Sequence, residues 1–510
     1  MGPGQWAQDE TFFRVGTLPR AAIRAMVVAM IRITTFADRK VAVFGLARSG
    51  IVSAEALRDG GADVACWDDG EGGRAAAQKA GLPLADLSTA DWSQFAALVL
   101  APGVPLTHPK PHWTVEKAKA AGVEIIGDIE LFFRQRAKSC PECPVICITG
   151  TNGKSTTTAL ITHILRKAGK DVQMGGNIGV SVLSLEPPAK DRYFVIEMSS
   201  FQIDLTPTLN PTVGVLLNIT PDHLDRHGTM ENYAAVKERI LENADYAVLG
   251  IDDEWCARLG ERHYTDIARR ISLDMVSTKR EFFHTWSLRG NEIWSPPVDP
   301  AVSFANSTAW TDHRKVADIS GIRSLRGTHN AQNALAAVVA TKLCSLWDED
   351  VQVGLKSFPG LAHRLEELGH VGRAVIVNDS KGTNADSTEK ALASFPGAIY
   401  WIAGGVPKEG GIDSLAPYFD RVAKAYLIGQ CAPDFAKTLE GKVPYEISGA
   451  LNVATASAAR DAAQSTAPEP VILLSPACAS YDHYNSFEQR GDHFKALAAN
   501  LPGFTKKAHA

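Results

Sequence analysis

The sequence has no excess of basic residues, no dense cysteine framework and no apolar run long enough to span a membrane. Lys and Arg number 52 against 57 for Asp and Glu, so no overall positive field favours nucleic acid as a partner. The eight cysteines are scattered, which argues against a secreted disulfide scaffold and for a reducing compartment. The longest apolar stretch near the amino terminus, residues 21–33, contains two arginines and falls short of the ~18 residues required. We therefore expect a cytoplasmic protein without an integral membrane segment.

The length and the alternation of strand and helix patterns predict three successive α/β domains. A chain of 510 residues is long enough for about three domains, and βαβ patterns indicate largely parallel sheets. We expect Rossmann-like domains at both ends and a further α/β domain in the centre. Residues 1–29 lack a clean cleavage site, so we expect either an upstream start before Met30 or a disordered tail. The predicted segments are a leader at 1–35 and domains at 36–140, 141–359 and 360–510.

Polar residues or glycine follow each predicted strand, where open α/β sheets place their ligands. In the last domain the strand patterns are Ala374–Asn378, Ile399–Ala403, Ala425–Ile428 and Val471–Leu474. The functional residues are therefore expected at the carboxyl edges of the sheets.

The strongest local signal is a glycine-bearing turn between an apolar strand and a helix. Its glycines allow backbone amides to approach phosphate oxygens, and Lys154 can neutralise the charge of the β- and γ-phosphates. A hydroxyl group of Ser155 or Thr156 can bind Mg²⁺. The turn is shorter than the general phosphate-loop pattern, because Ile148 occupies the position of the first glycine. The predicted ATP-binding loop consists of Gly150, Thr151, Asn152, Gly153, Lys154, Ser155 and Thr156.

Two later strand ends supply candidate metal ligands. Glu197 ends an apolar strand, and Asp222 and His223 follow the next one. A lone histidine is more often structural, but its position after a second strand of a phosphate-loop domain favours function. We predict that Glu197 and His223 complete the magnesium environment with Ser155 and Thr156.

The compact loop Gly-Thr-Asn-Gly-Lys-Ser-Thr resembles the signature of the Mur ligases and their folylpolyglutamate synthetase relatives. The resemblance covers about residues 36–500 and implies three α/β domains, ATP and Mg²⁺, with two metal sites. It also implies a carbamylated lysine at Lys237, which would become an anionic magnesium ligand. From chemistry alone a helical lysine is usually a solvated charge.

The resemblance implies further ATP contacts beyond the loop. Asn333 would contact the base, Arg364 would reach the phosphates, and Asp379 would meet the ribose or adenine side. An ordinary helix N-cap is the alternative for the neighbouring Asn330. The catalytic set implied is Lys154, Glu197, His223, Lys237 and Lys381.

The third domain most resembles the D-glutamate-adding members of the family. The segment Asn378–Asn384 and the block Leu474–Gly491 carry this resemblance. Lys381 and Thr383 would face the reacting centre, and Lys408 would grip a side-chain carboxylate. The residues implied for D-glutamate binding are Thr383, Lys408, Ser480, Tyr481 and Phe487, with an apolar residue more usual in the family at Tyr481.

The first domain has a turn, Gly45–Gly50, that superficially resembles a dinucleotide fingerprint. Ala47 replaces the middle glycine needed for close pyrophosphate approach, which argues against a redox cofactor. In the Mur family this turn serves the UDP end of the substrate. The residues implied for UDP-substrate binding are Ser49, Asp68, Asp69, Gly103, Asn177 and His223.

Taken together, the resemblance implies ATP-dependent amide formation between UDP-N-acetylmuramoyl-L-alanine and D-glutamate through an acyl phosphate. We expect a monomer whose partners are these small molecules. Two alternatives remain at this stage: a folylpolyglutamate synthetase, and a nucleotide-binding switch that hydrolyses ATP slowly. The UDP-like turn and the Asp379-Ser-Lys381 segment argue against the first, and dependence of phosphate release on both acceptors would exclude the second.

Overall fold

The computed structural model describes residues 30–265, 272–279, 285–297, 313–407 and 410–507. The leader before Met30 lies outside the described residues. Three separate sheets organise the described part of the chain, with four, nine and seven strands. The α/β fold class predicted from the sequence is confirmed, whereas the boundaries proposed at residues 140 and 359 stay predictions. Short 3₁₀ helices occur at Thr34–Phe36, Trp92–Gln94, Val182–Ser184, Arg323–Leu325 and Asp413–Arg421.

The first sheet is wholly parallel and lies near the amino terminus. Its elements are β1 (Lys40–Phe44), α1 (Arg48–Asp59), β2 (Asp63–Trp67), α2 (Glu71–Lys79), β3 (Ala97–Leu100), α3 (Trp113–Ala120), β4 (Glu124–Ile126) and α4 (Asp128–Ser139). The strand order is β2-β1-β3-β4. Residues 41–44 of β1 are all buried, because both faces of the sheet are covered, and this explains their uninterrupted apolar run.

The central sheet is the largest. Its strands are β5 (Val145–Thr149), β6 (Asp171–Gly176), β7 (Arg192–Glu197), β8 (Val213–Leu216), β9 (Tyr246–Gly250), β10 (Ser272–Ser277), β11 (Thr285–Arg289), β12 (Glu292–Ser295) and β13 (Arg314–Asp318). They lie in the order β13-β12-β11-β10-β9-β8-β5-β7-β6. Strands β5 to β11 pair in parallel, and β12 and β13 extend the sheet through antiparallel pairing.

Seven helices accompany the central sheet in the described residues. They are α5 (Lys154–Lys167), α6 (Ser200–Asp204), α7 (Leu224–His227), α8 (Met230–Glu242), α9 (Glu254–Thr265), α10 (Thr328–Leu343) and α11 (Asp348–Ser357). Helix α6 begins with a capping box, in which the Ser199 hydroxyl accepts from the Gln202 amide and the Gln202 side chain accepts from the Ser199 amide. This sharp start terminates the extended chain just after β7 and leaves Glu197 at the carboxyl edge of the sheet.

The third sheet is parallel in its centre and antiparallel at one edge. Its elements are β14 (Glu366–Val371), β15 (Ala374–Asn378), α12 (Ala385–Ala393), β16 (Ile399–Gly404), β17 (Val422–Ile428), α13 (Ala432–Leu439), β18 (Tyr445–Gly449), α14 (Leu451–Ala463), β19 (Val471–Leu474), α15 (Phe487–Ala499) and β20 (Phe504–Lys506). The order is β18-β17-β16-β19-β15-β14-β20, so β16, β19 and β15 are neighbours. Their carboxyl ends therefore meet at one edge.

The hydrophobic cores connect the first two sheets but not the third. One buried cluster contains Val41 and Val43 of β1 together with Phe194 and Ile196 of β7. The third sheet has its own clusters, one on each face. Among the described residues, no helix is both long and apolar enough to cross a bilayer.

Candidate active site

The phosphate loop joins β5 to α5 and depends on a glycine at its tightest point. Gly153 is the N-cap of α5 and has a left-handed backbone, with φ of 86°. A β-carbon at this position would lie 2.2 Å from Oδ1 of Asn333. Only glycine fits this position without strain, and the loop amides are thereby directed toward the start of α5.

Lys154 lies inside this loop rather than in solvent. Its ammonium donates to the carbonyl oxygens of Gly150 and Thr151, at 2.9 and 2.8 Å. Burial lowers the pKa of Lys154, and the carboxylates of Glu197 and Asp222 oppose that shift. The cation is therefore held at the centre of a site that already contains opposite charge.

Glu197 and Thr156 present buried oxygen atoms toward the same region. One oxygen of Glu197 accepts from the Asn177 side-chain amide at 2.8 Å. The other oxygen, Oε2, is buried and has no hydrogen-bond partner, and the same is true of the Thr156 hydroxyl. Buried oxygens without a donor are costly, and hard oxygen ligands are those that Mg²⁺ prefers. The residues present thus fit a magnesium ion.

The protein supplies only part of a metal coordination shell. Within the described ranges, no three His, Cys, Asp or Glu side chains converge as they would around a metal held by protein alone. Magnesium in nucleotide sites commonly uses one or two protein ligands together with phosphate oxygens and water. The ligand set therefore suits a metal that arrives with a nucleotide.

Lys237 is buried beside the loop, so the expectation of a solvated charge is wrong. Only 1% of its surface is exposed, and its ammonium donates to the Gly150 carbonyl at 2.9 Å and to the Thr149 hydroxyl at 3.2 Å. It also lies 4.8 Å from the centre of the Tyr233 ring. Burial and, after it, the Lys154 ammonium place the pKa of Lys237 well below its usual value.

His223 lies at the mouth of the site and is about half exposed. It adopts a left-handed backbone with φ of 52° as the N-cap of α7. Its Nε2 is 3.4 Å from the Asp222 carboxylate, and its ring lies 5.0 Å from that of Phe201. A non-glycine residue in this conformation is uncommon and is often found at functional positions.

A cavity of about 590 Å³ separates the phosphate loop from the third sheet. Asn152 and Asn333, from segments next to the central sheet, line this cavity together with Arg364, Asp379 and Lys381, which come later in the chain. Five of the ten predicted ATP residues therefore line one space: Asn152, Gly153, Asn333, Arg364 and Asp379. Its size suits a nucleotide-sized ligand.

The polar groups of this cavity have distinct environments. Asp379 is buried and accepts from the Ser475 hydroxyl at 2.7 Å and the Leu365 amide at 3.2 Å. Burial nevertheless raises its pKa to about 6. Nε of Arg364 is buried without a hydrogen-bond partner. Burial and the adjacent Arg364 lower the pKa of Lys381.

Asn333 is buried in α10, and its side chain donates to Oδ1 of Asn330 at 3.3 Å. The N-cap of this helix is Gly327, while the Asn330 side-chain amide donates to the Arg326 carbonyl. The N-cap alternative for Asn330 is therefore wrong. Its role is to orient Asn333 within the cavity wall.

Sequence reasoning missed a second polar group of the same cavity. Asp252 follows β9 and accepts from Thr278, through both its amide and its hydroxyl, and from Gln332. Lys279 lines the cavity next to it. The signal available was an acidic pair at a strand end, Asp252-Asp253, of the same kind that identified Glu197.

The residues predicted for the UDP end surround the carboxyl edge of the first sheet. The Asp68 carboxylate accepts from the Leu46 and Gly70 amides, at 2.6 and 2.7 Å. Asp69 accepts from the Trp113 indole and lies 3.1 Å from His112. Asp68 therefore shapes the loops, whereas Asp69 lines a cavity of about 390 Å³.

Two more of the predicted UDP-substrate residues lie near this edge. Ser49 is half-buried at the start of α1. Gly103 is exposed, and its carbonyl accepts from Arg226 of α7 at 3.1 Å. The Arg226 guanidinium thus connects the first sheet to the helix that follows His223.

The residues predicted for the amino acid are only partly together. Ser480 is buried, whereas Tyr481 is 75% exposed. Phe487 begins α15, with its ring 5.7 Å from the Lys381 ammonium, and Thr383 lies two residues beyond Lys381. Lys408 lies outside the described residues. Phe487 and Thr383 therefore lie near Lys381, which lines the cavity, whereas the Tyr481 side chain is exposed to solvent.

Fold and site together define a protein with a glycine-bearing strand-to-helix loop beside a nucleotide-sized cavity, which segments of the central and carboxyl-terminal sheets line. The model of the Mur ligase middle domain matches residues 148–341. The chain belongs to the Mur ligase family, a class of ATP-dependent ligases that form amide bonds.

Relatives across the whole chain are consistent with this assignment. The protein named UDP-N-acetylmuramoylalanine–D-glutamate ligase of Brucella abortus (strain 2308) is 54% identical over 475 residues, which are 93% of this chain and 98% of the relative. The protein of the same name from Nitrobacter hamburgensis is 55% identical over 482 residues, covering 94% and 100%.

Solved structures show the same fold at low identity. The MurF ligase of Thermotoga maritima in complex with ADP has a TM-score of 0.52 at 14% identity, covering 93% of this chain and 99% of that one. The UDP-N-acetylmuramate–alanine ligase of the same organism has a TM-score of 0.51 at 20% identity, covering 89% and 98%. The three-sheet architecture is thus that of Mur ligases.

Proposed function

We propose that this protein joins D-glutamate to UDP-N-acetylmuramoyl-L-alanine at the expense of ATP, as a cytoplasmic step of peptidoglycan precursor synthesis. The observation that carries the proposal is the cavity lined by Asn152 and Gly153 of the phosphate loop and by Asp379 and Lys381 of the third domain. Lys154 lies close enough for its charge to act on Lys381. The relatives named above support the choice of substrates. The enzyme acts as a monomer, with domains at 36–140, 141–359 and 360–510.

The reaction proceeds through an acyl phosphate. An oxygen of the L-alanyl carboxylate attacks the γ-phosphorus of ATP, forming a carboxyl–phosphate bond and releasing ADP. The uncharged amine of D-glutamate then attacks the acyl carbon, the tetrahedral intermediate expels phosphate, and the amine proton leaves to solvent. Carboxylates resist attack by amines, so this activation is needed before the amide bond can form. Holding all three substrates in one cavity lowers the entropic cost of their encounter.

Cationic side chains of the chain offset the charge that develops on the phosphoryl group. Lys154 approaches it from the phosphate loop, and Arg364 and Lys381 approach it from the opposite side. Desolvation in this site strengthens each attraction relative to water. Asp379 and Asn333 hold the ribose and the base.

Magnesium, when bound, would neutralise charge on the phosphate oxygens. Glu197 and Thr156 would hold it through the oxygens that lack donors in the protein, together with Ser155 at the same helix start. His223 and Lys237 would contribute to a second ion. Two sites are expected because the acyl and the phosphoryl oxygens both become more negative.

Lys237 serves as a carbamate. Burial holds the pKa of its amine well below the usual value, which favours the neutral nitrogen that carbamylation needs. The nitrogen lone pair attacks carbon dioxide, forming an N–C bond and releasing one proton to solvent. The product is an anionic oxygen donor, which replaces repulsion between Lys237 and Lys154 with attraction.

The UDP-sugar extends from the first domain toward the phosphate loop. Ser49, Asp69 and Gly103 contact its uridine diphosphate end, with Asp68 supporting the loops. Asn177 and His223 lie on the path toward the L-alanyl carboxylate. Ser480, Phe487, Thr383 and Lys408 receive D-glutamate, with Tyr481 at the margin.

Phosphate release measured with each substrate omitted tests this function. The full mixture of ATP, Mg²⁺, UDP-N-acetylmuramoyl-L-alanine and D-glutamate should release phosphate, and omission of either acceptor should abolish it. L-glutamate, L-lysine and meso-diaminopimelate should not replace D-glutamate. Release without acceptors would identify a nucleotide switch, and activity with folate substrates would identify a folylpolyglutamate synthetase.

A further inference from the structure

One fully buried arginine joins three loops of the third domain. Arg490, on α15, is 1% exposed. Its Nε donates to the Ser380 hydroxyl at 3.0 Å, and its Nη2 donates to the carbonyls of Ser380 and Cys478 at 2.9 and 3.1 Å. Its Nη1 donates at 3.5 Å to the carbonyls of Gly404 and Ala479. All five acceptors are backbone or hydroxyl oxygens.

The loops held by Arg490 follow the neighbouring strands β15, β19 and β16. Ser380 stands directly before Lys381, and Ala479 directly before Ser480. Gly404 ends the strand that leads to Lys408. The planar guanidinium has donors in a fixed fork, so it can fix the relative positions of several carbonyls at once. Each loop that carries a proposed amino-acid contact is therefore tied to the same side chain.

Ser380 also links Arg490 to Phe487, the first residue of α15. The Ser380 hydroxyl, which accepts from Arg490, donates in turn to the Phe487 carbonyl at 2.8 Å. There is little slack around the guanidinium, because a β-carbon on Gly405 would lie 3.3 Å from its Nη1 and 2.2 Å from the Ala479 carbonyl oxygen. The segments that contain Gly405 and Ala479 are therefore closely packed around the guanidinium.

The hydrogen bonds of Arg490 go to carbonyl and hydroxyl oxygens, and the carboxylates of Asp482 and Asp379 act on its charge only from a greater distance. Burial lowers its pKa to about 10, which leaves the guanidinium charged at neutral pH. Burying a cation on carbonyl dipoles alone is costly for folding. A retained positive charge beneath three loops favours an anionic ligand above them.

We propose that Arg490 is a positioning residue for the amino-acid substrate, tying the segments of Ser380 and Lys381, of Ala479 and Ser480, and of Gly404 into one dicarboxylate-binding surface. This inference rests on the function proposed above. Arg490 does not touch the substrate; it acts through Ser380, Cys478 and Ala479. The Asp379 carboxylate has its own anchors in Ser475 and Leu365, so ATP binding should not depend on Arg490.

Steady-state kinetics of Arg490→Lys separates positioning from general stability. Lysine keeps the charge but cannot bridge all five acceptors. Because each lost charge-assisted hydrogen bond weakens a structure measurably, we expect KM for D-glutamate to rise on the order of tenfold or more. KM for ATP and for the UDP-sugar should change by less than about twofold, since their anchors are separate.

Arg136→Lys is the matched control. Arg136 is also a buried arginine whose hydrogen bonds go to carbonyls, those of Cys143 and Asn210, but it lies in α4 far from these loops. The three KM values and the thermal unfolding temperature are measured for both variants. A selective rise in KM for D-glutamate in Arg490→Lys supports the inference. Unchanged values, or equal changes in all three KM values, would overturn it.

Ser380→Ala provides a second variant if Arg490→Lys does not fold. It removes the hydroxyl that links Arg490 to Phe487 while leaving both backbones in place. We expect a smaller rise in KM for D-glutamate in the same direction, and an unaltered value contradicts the inference. Wild-type enzyme without D-glutamate-dependent activity would instead refute the proposed function itself.

Discussion

The ammonium groups of Lys154 and Lys237 donate to the same carbonyl oxygen, that of Gly150, each at 2.9 Å. Two cations that share one acceptor repel each other, and both lie in a buried site. The pKa of Lys237 is the more strongly lowered of the two, with burial as its first cause and Lys154 as its second. Burial and this repulsion therefore both favour the neutral form of Lys237.

Replacement of Lys237 should reveal whether its amine acts as a carbamate. Lys237→Ala is expected to lose most activity, and added short-chain carboxylic acids should restore part of it by supplying the missing oxygen ligand. Isotopically labelled bicarbonate should give a carbamate signal in the wild-type protein and none in the variant. The exposed Lys167, at the end of α5, provides Lys167→Ala as a control with normal activity. Full activity of Lys237→Ala would remove this residue from the site.

The pH dependence of KM for ATP should report the protonation state of Asp379. Its folded pKa of about 6 lies above the ordinary 3.8, so the carboxylate needed for the ribose is lost as pH falls through 6. KM for ATP should rise below that pH, and Asp379→Asn should show a high KM that varies little between pH 5 and 8. Initial rates across pH check this, using substrate concentrations that saturate the other two sites. A wild-type KM that is flat down to pH 5 would contradict it.

The same shift predicts the direction of a stability change. Between pH 3.8 and about 6 the folded protein binds a proton at Asp379 that the unfolded chain has released. This group therefore favours folding at the acid end of the window and loses that contribution as pH rises through it. In Asp379→Asn, the free energy of unfolding should vary less with pH between 3.8 and about 6 than it does in the wild-type protein. Denaturant unfolding of both proteins across this range measures the difference.

Gly153→Ala should impair the phosphate loop by two separable effects. The left-handed backbone alone costs roughly 1–2 kcal/mol for a non-glycine residue. The clash with Asn333 should add roughly 1–3 kcal/mol and weaken ATP binding, measured by calorimetry. Gly169→Ala is the control, because Gly169 has φ of 76° but a β-carbon there would meet no atom within 4 Å.

A double variant that removes the clash between position 153 and Asn333 tests the role of Gly153 further. In Gly153→Ala/Asn333→Ala the added β-carbon no longer meets the amide oxygen, so denaturant unfolding should show part of the stability restored. If Gly153→Ala is no more destabilising than Gly169→Ala, the close approach to Asn333 has no energetic consequence.

Arg226→Lys should weaken binding of the UDP-sugar. The guanidinium donates to the carbonyls of Pro102, Gly103 and Val104, and it stacks 4.5 Å from the centre of the Phe201 ring. Lysine cannot bridge the three acceptors, so we expect KM for the UDP-sugar to rise by about three- to tenfold. KM for D-glutamate should stay the same. An equal rise in both constants would show a general loss of structure.

Local patterns were sufficient to predict many of the buried parallel strands and the loop. The strand from Val145 to Thr149 and the glycine turn after it are continuous in sequence, so their chemistry could be read directly. Strand β18 and the antiparallel edge strands β14 and β20 were not predicted. Their burial is partial, and their pairing partners are distant in the chain, as with β14 and β20.

The site was predictable where residues follow strands and unpredictable where packing decides. Glu197 could be identified from its position, and Asp252 carried a similar signal that was overlooked. Lys237 could not be identified from its helix, because only tertiary packing against the loop makes it buried. Arg490 is a comparable case, since its five acceptors come from the loops after three strands.

The division of the hydrophobic cores sets which distances in the enzyme can vary. The first and central sheets share one apolar interior, whereas the central and third sheets meet through ion pairs such as Arg323–Glu367 and Arg326–Glu469. Sliding apart a shared interior exposes apolar area, while surface ion pairs exchange readily with water. We therefore expect the distance between the proposed uridine site and the phosphate loop to stay constant, so that it would limit the length of the sugar-linked substrate. We expect the third domain to be the part whose position can change, which would determine how the amine reaches the activated carboxyl group.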